Sequence, residues 1–331
     1  MVPPTDHTAT LVRQFDAIAA TCPHVDRFCT STCWGLPAHA AFSSPGSIPL
    51  LHVRDSFAAM FSLHRAGMRR CIACPLDSAW MLGSPFVAPE ARTLVDGALD
   101  VLDTTADRWH TFVLGGIRAD TLGQAFDDLE RALSRSYSLR RISPQERRVA
   151  SLDGGLDGYL SRRSGGFRTS LRAQQRRARE RGASFRRTLA RTTDEVNDLL
   201  RACHGVEVRT WKAAEGMGVD QGAARTFQHG VMRRAADLGL EARAVVMELD
   251  GADVAYVNGV VGPEGYRGMS LSFDESFRPL GAGNLVQAEM LAWLCDDAVR
   301  WYDLGGTLPY KERWGEIGLS TTGWVVLNDK G

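Results

Sequence analysis

Arg278-Pro279-Leu280-Gly281-Ala282-Gly283 lies between an apolar strand, Tyr266 to Phe273, and a helix expected over Asn284 to Arg300. The start of a helix leaves four N–H groups without intrahelical partners, and the helix dipole favours negative charge there. Glycine lets an anion come close to the backbone. The N–H groups of Leu280, Gly281, Ala282, Gly283 and Asn284 can therefore cradle a pyrophosphate, with Arg278 beside it. The same six residues also serve as a strand-to-helix turn that binds nothing.

A second constellation follows. Trp301-Tyr302-Asp303-Leu304-Gly305-Gly306 combines a short strand with a glycine turn, and Pro309-Tyr310-Lys311-Glu312-Arg313-Trp314 comes directly after it. Tyr310 can give a proton and Lys311 can offset a growing negative charge; a packed tyrosine and a surface lysine are the plainer reading. Two carboxylates are candidate bases: Asp274, at the end of the strand before the glycine loop, and Glu207. Asp274 can equally be a turn residue in Asp274-Glu275-Ser276, and Glu207 can be solvated or ion-paired. Asp303 can orient Lys311 or cap the turn at Gly305. No serine, cysteine or histidine set has the spacing of a catalytic triad, and His204 and His229 stand alone.

Four segments, in order from Tyr159 to Trp314, carry a family resemblance. Arg278 to Gly283 fits the R/Q-x-x-G-x-G/A acyl-CoA signature of the GNAT superfamily. Trp301 to Trp314 resembles the C-terminal motif of its FemABX-like branch. Thr210-Trp211-Lys212, within Glu207 to Lys212, resembles that branch's "SWK" segment, and Gly166-Phe167-Arg168 through Arg179 resembles its R-x-x-[LI]-R-R helix. The resemblance implies an N-acyltransferase that moves an acyl group from acyl-CoA (acetyl-CoA or longer) or a carrier thioester to an amine on a small molecule, sugar or peptide. It places a general base at Asp274 or Glu207, a general acid at Tyr310 and charge stabilisation at Lys311. The first alternative is a FemABX-type transferase fed by aminoacyl-tRNA. The second is a GNAT-like binding protein without catalysis. The long coiled-coil insertion of some tRNA-using members is missing here, as it is from other members.

The elements that must position these residues follow a clear order in the C-terminal half. It runs strand (Ser184 to Leu189), two helices (Asp194 to Cys203, capped near Thr193 or Asp194, and Ala223 to Leu238), then three strands. Asp250-Gly251 joins the first two strands as a hairpin. The glycine loop, a helix and two further strands, at Trp301 to Leu304 and Gly323 to Leu327, complete it. The N-terminal half is a looser version: a helix over Asp6 to Ala20, three strands (Ile48 to Val53, Phe57 to His64, Arg69 to Cys74), a helix, a strand at Thr111 to Leu114, a helix, and a strand at Arg147 to Leu152. Gly115-Gly116 is its nearest glycine pair, and it has no counterpart of Arg278 to Gly283. The expected fold is α/β (α+β): two tandem GNAT-like domains, residues 1–155 degenerate and 156–331 donor-binding, each a mixed central sheet flanked by helices.

Composition limits the partners. Lys+Arg and Asp+Glu are both 39 in 331 residues, so no global pull toward nucleic acid or membrane is expected. The positive charge is local: eleven arginines and one acid, Glu180, lie between Arg162 and Arg191. That segment is a solvated helix or a surface for tRNA, a carrier protein or the phosphates of CoA. The seven cysteines are odd in number, and five fall in the first 74 residues. Reduced thiols are expected, and no metal. Cys29, Cys33, Cys71 and Cys74 form the one zinc set conceivable, but Cys71 and Cys74 on a strand would face opposite ways. No apolar stretch is long enough to span a membrane and no signal segment is visible, so a cytoplasmic location is expected.

Overall fold

The computed structural model describes residues 6–65, 71–210, 215, 218–219, 221–262 and 264–328. The chain forms two compact units, residues 1–145 with 320–331, and residues 146–319. The sequence-based division at 155/156 differs from this. The reason is the last strand, which pairs with a strand of the first unit.

The first unit contains α1 (Asp6–Thr21), α2 (Arg27–Thr30), α3 (Thr32–Phe42), β1 (Ile48–Arg54), β2 (Phe57–Arg65), β3 (Cys71–Pro75), β4 (Phe86–Val87), α4 (Ala91–Thr104), β5 (Thr111–Ile117), α5 (Ala119–Leu122) and α6 (Gln124–Leu133). β1, β2 and β3 are antiparallel neighbours, β3 pairs parallel with β5, and β5 pairs antiparallel with β12 (Ile317–Leu327). Leu94, Ala98 and Leu102 face one side of α4 at helical spacing and are buried with Phe126 and Leu129 of α6. Phe15 and Ala19 of α1 bury against Ala58 and Met60 of β2. Trp324 of β12 is fully buried and stacks on Phe126 at 4.3 Å. Five cysteines of the chain are buried and two half-buried. No group of three or more His, Cys, Asp or Glu among the described residues is placed to hold a metal.

β6 (Ser138–Ser151) leads from the first unit into the second. There follow α7 (Gly155–Ser161), α8 (Gly165–Glu180), β7 (Ser184–Ala190), α9 (Thr193–Glu207), α10 (Gly222–Asp237), β8 (Glu241–Leu249), β9 (Ala252–Val261), β10 (Tyr266–Phe273), α11 (Ala282–Asp296), β11 (Trp301–Gly306) and α12 (Pro309–Glu312). The strand order is β6-β11-β10-β9-β8-β7; β10 and β11 are parallel and the other pairs antiparallel. α11 packs on one face of this sheet, beneath α7 and α8, and α9 and α10 cover the other. Asp250 and Gly251 both take positive φ, 55° and 76°, which a two-residue turn between twisted strands requires. α9 starts one residue earlier than expected. Thr192 caps it, with a reciprocal pair of bonds to Glu195 that satisfies two helix-start donors at once.

Topology repeats between the units. β1-β2-β3-α4-β5 and β8-β9-β10-α11-β11 are each three antiparallel strands, a helix and a strand parallel to the third. The helix starts differ: Glu90 stands before α4 and Gly281 before α11. A carboxylate at the first position disfavours an anion there, and a glycine does not. No described helix is long and apolar enough to cross a membrane.

Candidate active site

The site grows from the place where β10 and β11 part. They pair through Tyr266↔Tyr302 and Arg267↔Asp303, and no pairing continues beyond Arg267. The C-terminal end of β10 thus has a free edge. A cleft of about 400 Å³ wraps this edge, lined by Leu271, Ser272 and Phe273, by Arg278 and Gly281 to Asn284, and by Tyr310 and Arg313.

Gly281 holds the corner. Its φ of 80° is left-handed, and it precedes α11 without a side-chain cap. The first intrahelical bond runs from Leu285 N–H to Gly281 C=O. The N–H groups of Ala282, Gly283 and Asn284 therefore have no helical acceptor, and the first turn carries no acid. The glycines are required by packing. A Cβ on Gly283 would stand 2.9 Å from the Phe273 ring, and one on Gly281 would stand 2.5 Å from the Gln174 side chain of α8. Gly283 lets the helix sit on β10, and Gly281 admits Gln174, which accepts from Asn284 Nδ2 at 3.1 Å. Arg313 donates to Asn284 Oδ1 at 3.2 Å.

Deeper in the cleft, Gln287 is buried, and its Nε2 has no acceptor among the described residues. Trp314 anchors the opposite wall. It is buried, meets Phe167 edge-on at 4.9 Å, and its carbonyl accepts from Tyr159 Oη at 3.0 Å. Tyr310 and Arg313 thereby hang from a fixed point.

Residues 165–312 match the family model described as an acetyltransferase (GNAT) domain. Residues 165–312 are a GNAT domain. No curated protein matches the chain. Among solved structures, the chain is similar to FemX (11% identity, TM-score 0.65, covering 96% of each chain). It is also similar to a conserved protein of unknown function from Bacteroides thetaiotaomicron (13% identity, TM-score 0.64, covering 99% of this chain and 100% of that one). A third is the C-terminal domain of a protein named as a lysylphosphatidylglycerol synthetase from Agrobacterium fabrum (12% identity, TM-score 0.55, covering 97% and 92%). At such identities the likeness is one of fold: two α/β units in tandem, of which residues 165–312 carry the GNAT match.

The GNAT domain brings Arg278, Gly281, Ala282, Gly283, Asn284 and Tyr310 to one cleft; Leu280 lies buried beneath the loop. Partial burial pushes the Tyr310 phenol up, so it stays protonated. Lys311 Nζ lies beside Arg267 at Gly305. Asp303 accepts from Gly305 N–H at 2.8 Å and from Arg267 at 2.7 Å, and it pairs with Arg147 at 3.1 Å. It caps the glycine turn and holds two buried arginines. Burial pushes its carboxyl up, but Arg267 and Arg147 together outweigh that and hold it low.

Asp274 is a cap in the GNAT domain. Its carboxylate accepts from Ser276 Oγ at 2.6 Å and from Ser276 N–H at 3.0 Å, and it pairs with Arg209 at 3.2 Å. These bonds, led by Ser276, lower its pKa and weaken it as a base. Glu207 is nearly fully buried at the end of α9, where it accepts from Val219 N–H at 3.2 Å and Tyr256 Oη at 2.8 Å. Trp211 and Lys212 of the third resemblance segment lie outside the described residues. Gln174 and Arg313 lie inside two of the resemblance segments but no role marks them there, and Gln287 belongs to no motif; packing brings all three to the site.

Proposed function

We propose that the GNAT domain transfers an acyl group from an acyl thioester, on CoA or a carrier, to an amine. One observation carries this: the uncapped start of α11 opens onto the cleft at the free edge of β10. There the N–H groups of Ala282, Gly283 and Asn284, with Arg278 and Arg313, would hold phosphates. Leu271 and Phe273 offer an apolar track to the acyl-bearing arm, and Gln287 Nε2 offers it a buried donor. An unmet donor costs about 1–3 kcal/mol, which a carbonyl on the arm would recover. Tyr310, protonated at neutral pH, is the acid for the departing thiolate, and Lys311, next to it in the chain, is the positive charge assigned to a developing oxyanion. Asp274 shapes the loop and takes no proton.

A second reading, an aminoacyl-tRNA donor, is favoured by α8. Arg168, Arg172, Arg176 and Arg179 fall within about 80° of arc on that helix. Arg168, Arg172 and Arg179 have no carboxylate within ion-pair reach among the described residues, whereas Arg181, Arg186, Arg187 and Arg191 are all paired. Equilibrium binding of acetyl-CoA and of charged tRNA to one preparation tests the two. Acetyl-CoA binding is expected. Binding of charged tRNA alone, weakening steeply with salt, would replace the first reading with the second.

A further inference from the structure

The face of the sheet opposite α11 holds a hydrogen-bond chain with a direction. Tyr256 on β9 lies opposite Ser272 on β10, and Asn258 opposite Ser270, so these four side chains share the face covered by α9 and α10. Tyr256 Oη meets Glu207 Oε2 at 2.8 Å and Ser270 Oγ at 3.0 Å. A carboxylate only accepts, so Tyr256 spends its one O–H on Glu207. Ser270 must then give its own proton to Tyr256. Its outer lone pairs are left as an acceptor with no proton to offer.

Ser270 is half-buried and directly precedes Leu271 to Phe273, the stretch that lines the cleft; Ser272, its next neighbour on the same face, is part of that lining. The start of α11 lies against the other face of β10. The two faces of one strand end thus present different chemistry: N–H donors for an anion on one side, a hydroxyl acceptor backed by a buried carboxylate on the other.

We infer that Ser270 Oγ receives the acceptor amine and that Ser270, Tyr256 and Glu207 relay its proton. This rests on the amine-transfer reading above. The step moves one proton. The ammonium N–H goes to Ser270 Oγ, the Ser270 proton to Tyr256 Oη, and the Tyr256 proton to Glu207 Oε2. The result is a neutral amine with a free lone pair and a protonated Glu207. Nothing is oxidised or reduced. Ser270 is the catalytic residue; Tyr256 and Glu207 act through it.

The test uses the full chain with acetyl-CoA and two small nucleophiles. Methylamine is an ammonium at neutral pH and needs the relay; hydroxylamine is already neutral and needs it far less. Release of free CoA thiol is followed for the wild type, Ser270→Ala, Tyr256→Phe, Ser270→Thr and the isosteric Glu207→Gln. General base catalysis contributes roughly 10²–10⁴-fold, so Ser270→Ala, Tyr256→Phe and Glu207→Gln should each lower transfer to methylamine by about 10² or more. Transfer to hydroxylamine should fall much less, and Ser270→Thr, which keeps the hydroxyl, should recover methylamine transfer. Equal losses with both nucleophiles, or no loss with methylamine, would overturn the relay and leave the transfer reading standing. A wild type inert toward both would overturn the transfer reading, and the relay with it.

Discussion

His229 stands on α10 between Arg225 and Arg233. Burial, and then the two arginines, push its imidazole down from 6.5 to about 4. An unfolded chain keeps the ordinary value, so between these two pH values the unfolded state binds more protons. The contribution of neutral His229 is full above the unfolded value and is lost as pH falls through the window. Urea midpoints of the wild type should therefore drop more steeply than those of His229→Gln between pH 6.5 and about 4; parallel curves would contradict the burial. In the sequence this histidine stands alone, outside any catalytic set. Asp274 and Glu207 were not separable by sequence, since both are acids near an apolar element. Their partners separate them. Ser276 and Arg209 occupy Asp274, while Tyr256, 49 residues away in the chain, donates to Glu207.

Elements explain where the cleft comes from. α11 can lie on β10 because Gly283 has no Cβ to strike Phe273. Gly283→Ala forces either the ring or the helix to shift. It should cost about 1–3 kcal/mol, read as a lower urea midpoint with an unchanged slope. An unchanged midpoint would mean that the helix is not seated this closely. Strong local signals made most of the elements readable, among them the Asp250-Gly251 hairpin and the Gly281 corner. β6 was readable only in its last residues. Its first nine, Ser138 to Glu146, are mostly exposed and include Arg140, Arg141 and Pro144, so no buried face marks them as a strand. α8 was readable as a helix, but not the contact of its Gln174 with Gly281.

At the scale of the molecule, the two tandem α/β units were visible as a repeated order of elements, whereas their boundary was not. Linear order assigns the last strand to the second unit. Its pairing with β5 and the burial of Trp324 beside Phe126 return it to the first. The repeat also differs at the helix start: Glu90 stands where Gly281 stands in the second unit. The central claim, that the start of α11 is an anion cradle for an acyl thioester, is tested most directly by calorimetric titration of acetyl-CoA into the wild type and Asn284→Asp. The substitution is isosteric, keeps an acceptor for Arg313, and puts a negative charge at the helix start, where it favours the fold. Wild-type binding that weakens about tenfold or more in an equally stable Asn284→Asp variant, roughly 1.4 kcal/mol or more, is the predicted result. Equal affinities, or no acetyl-CoA binding to the wild type, would contradict it.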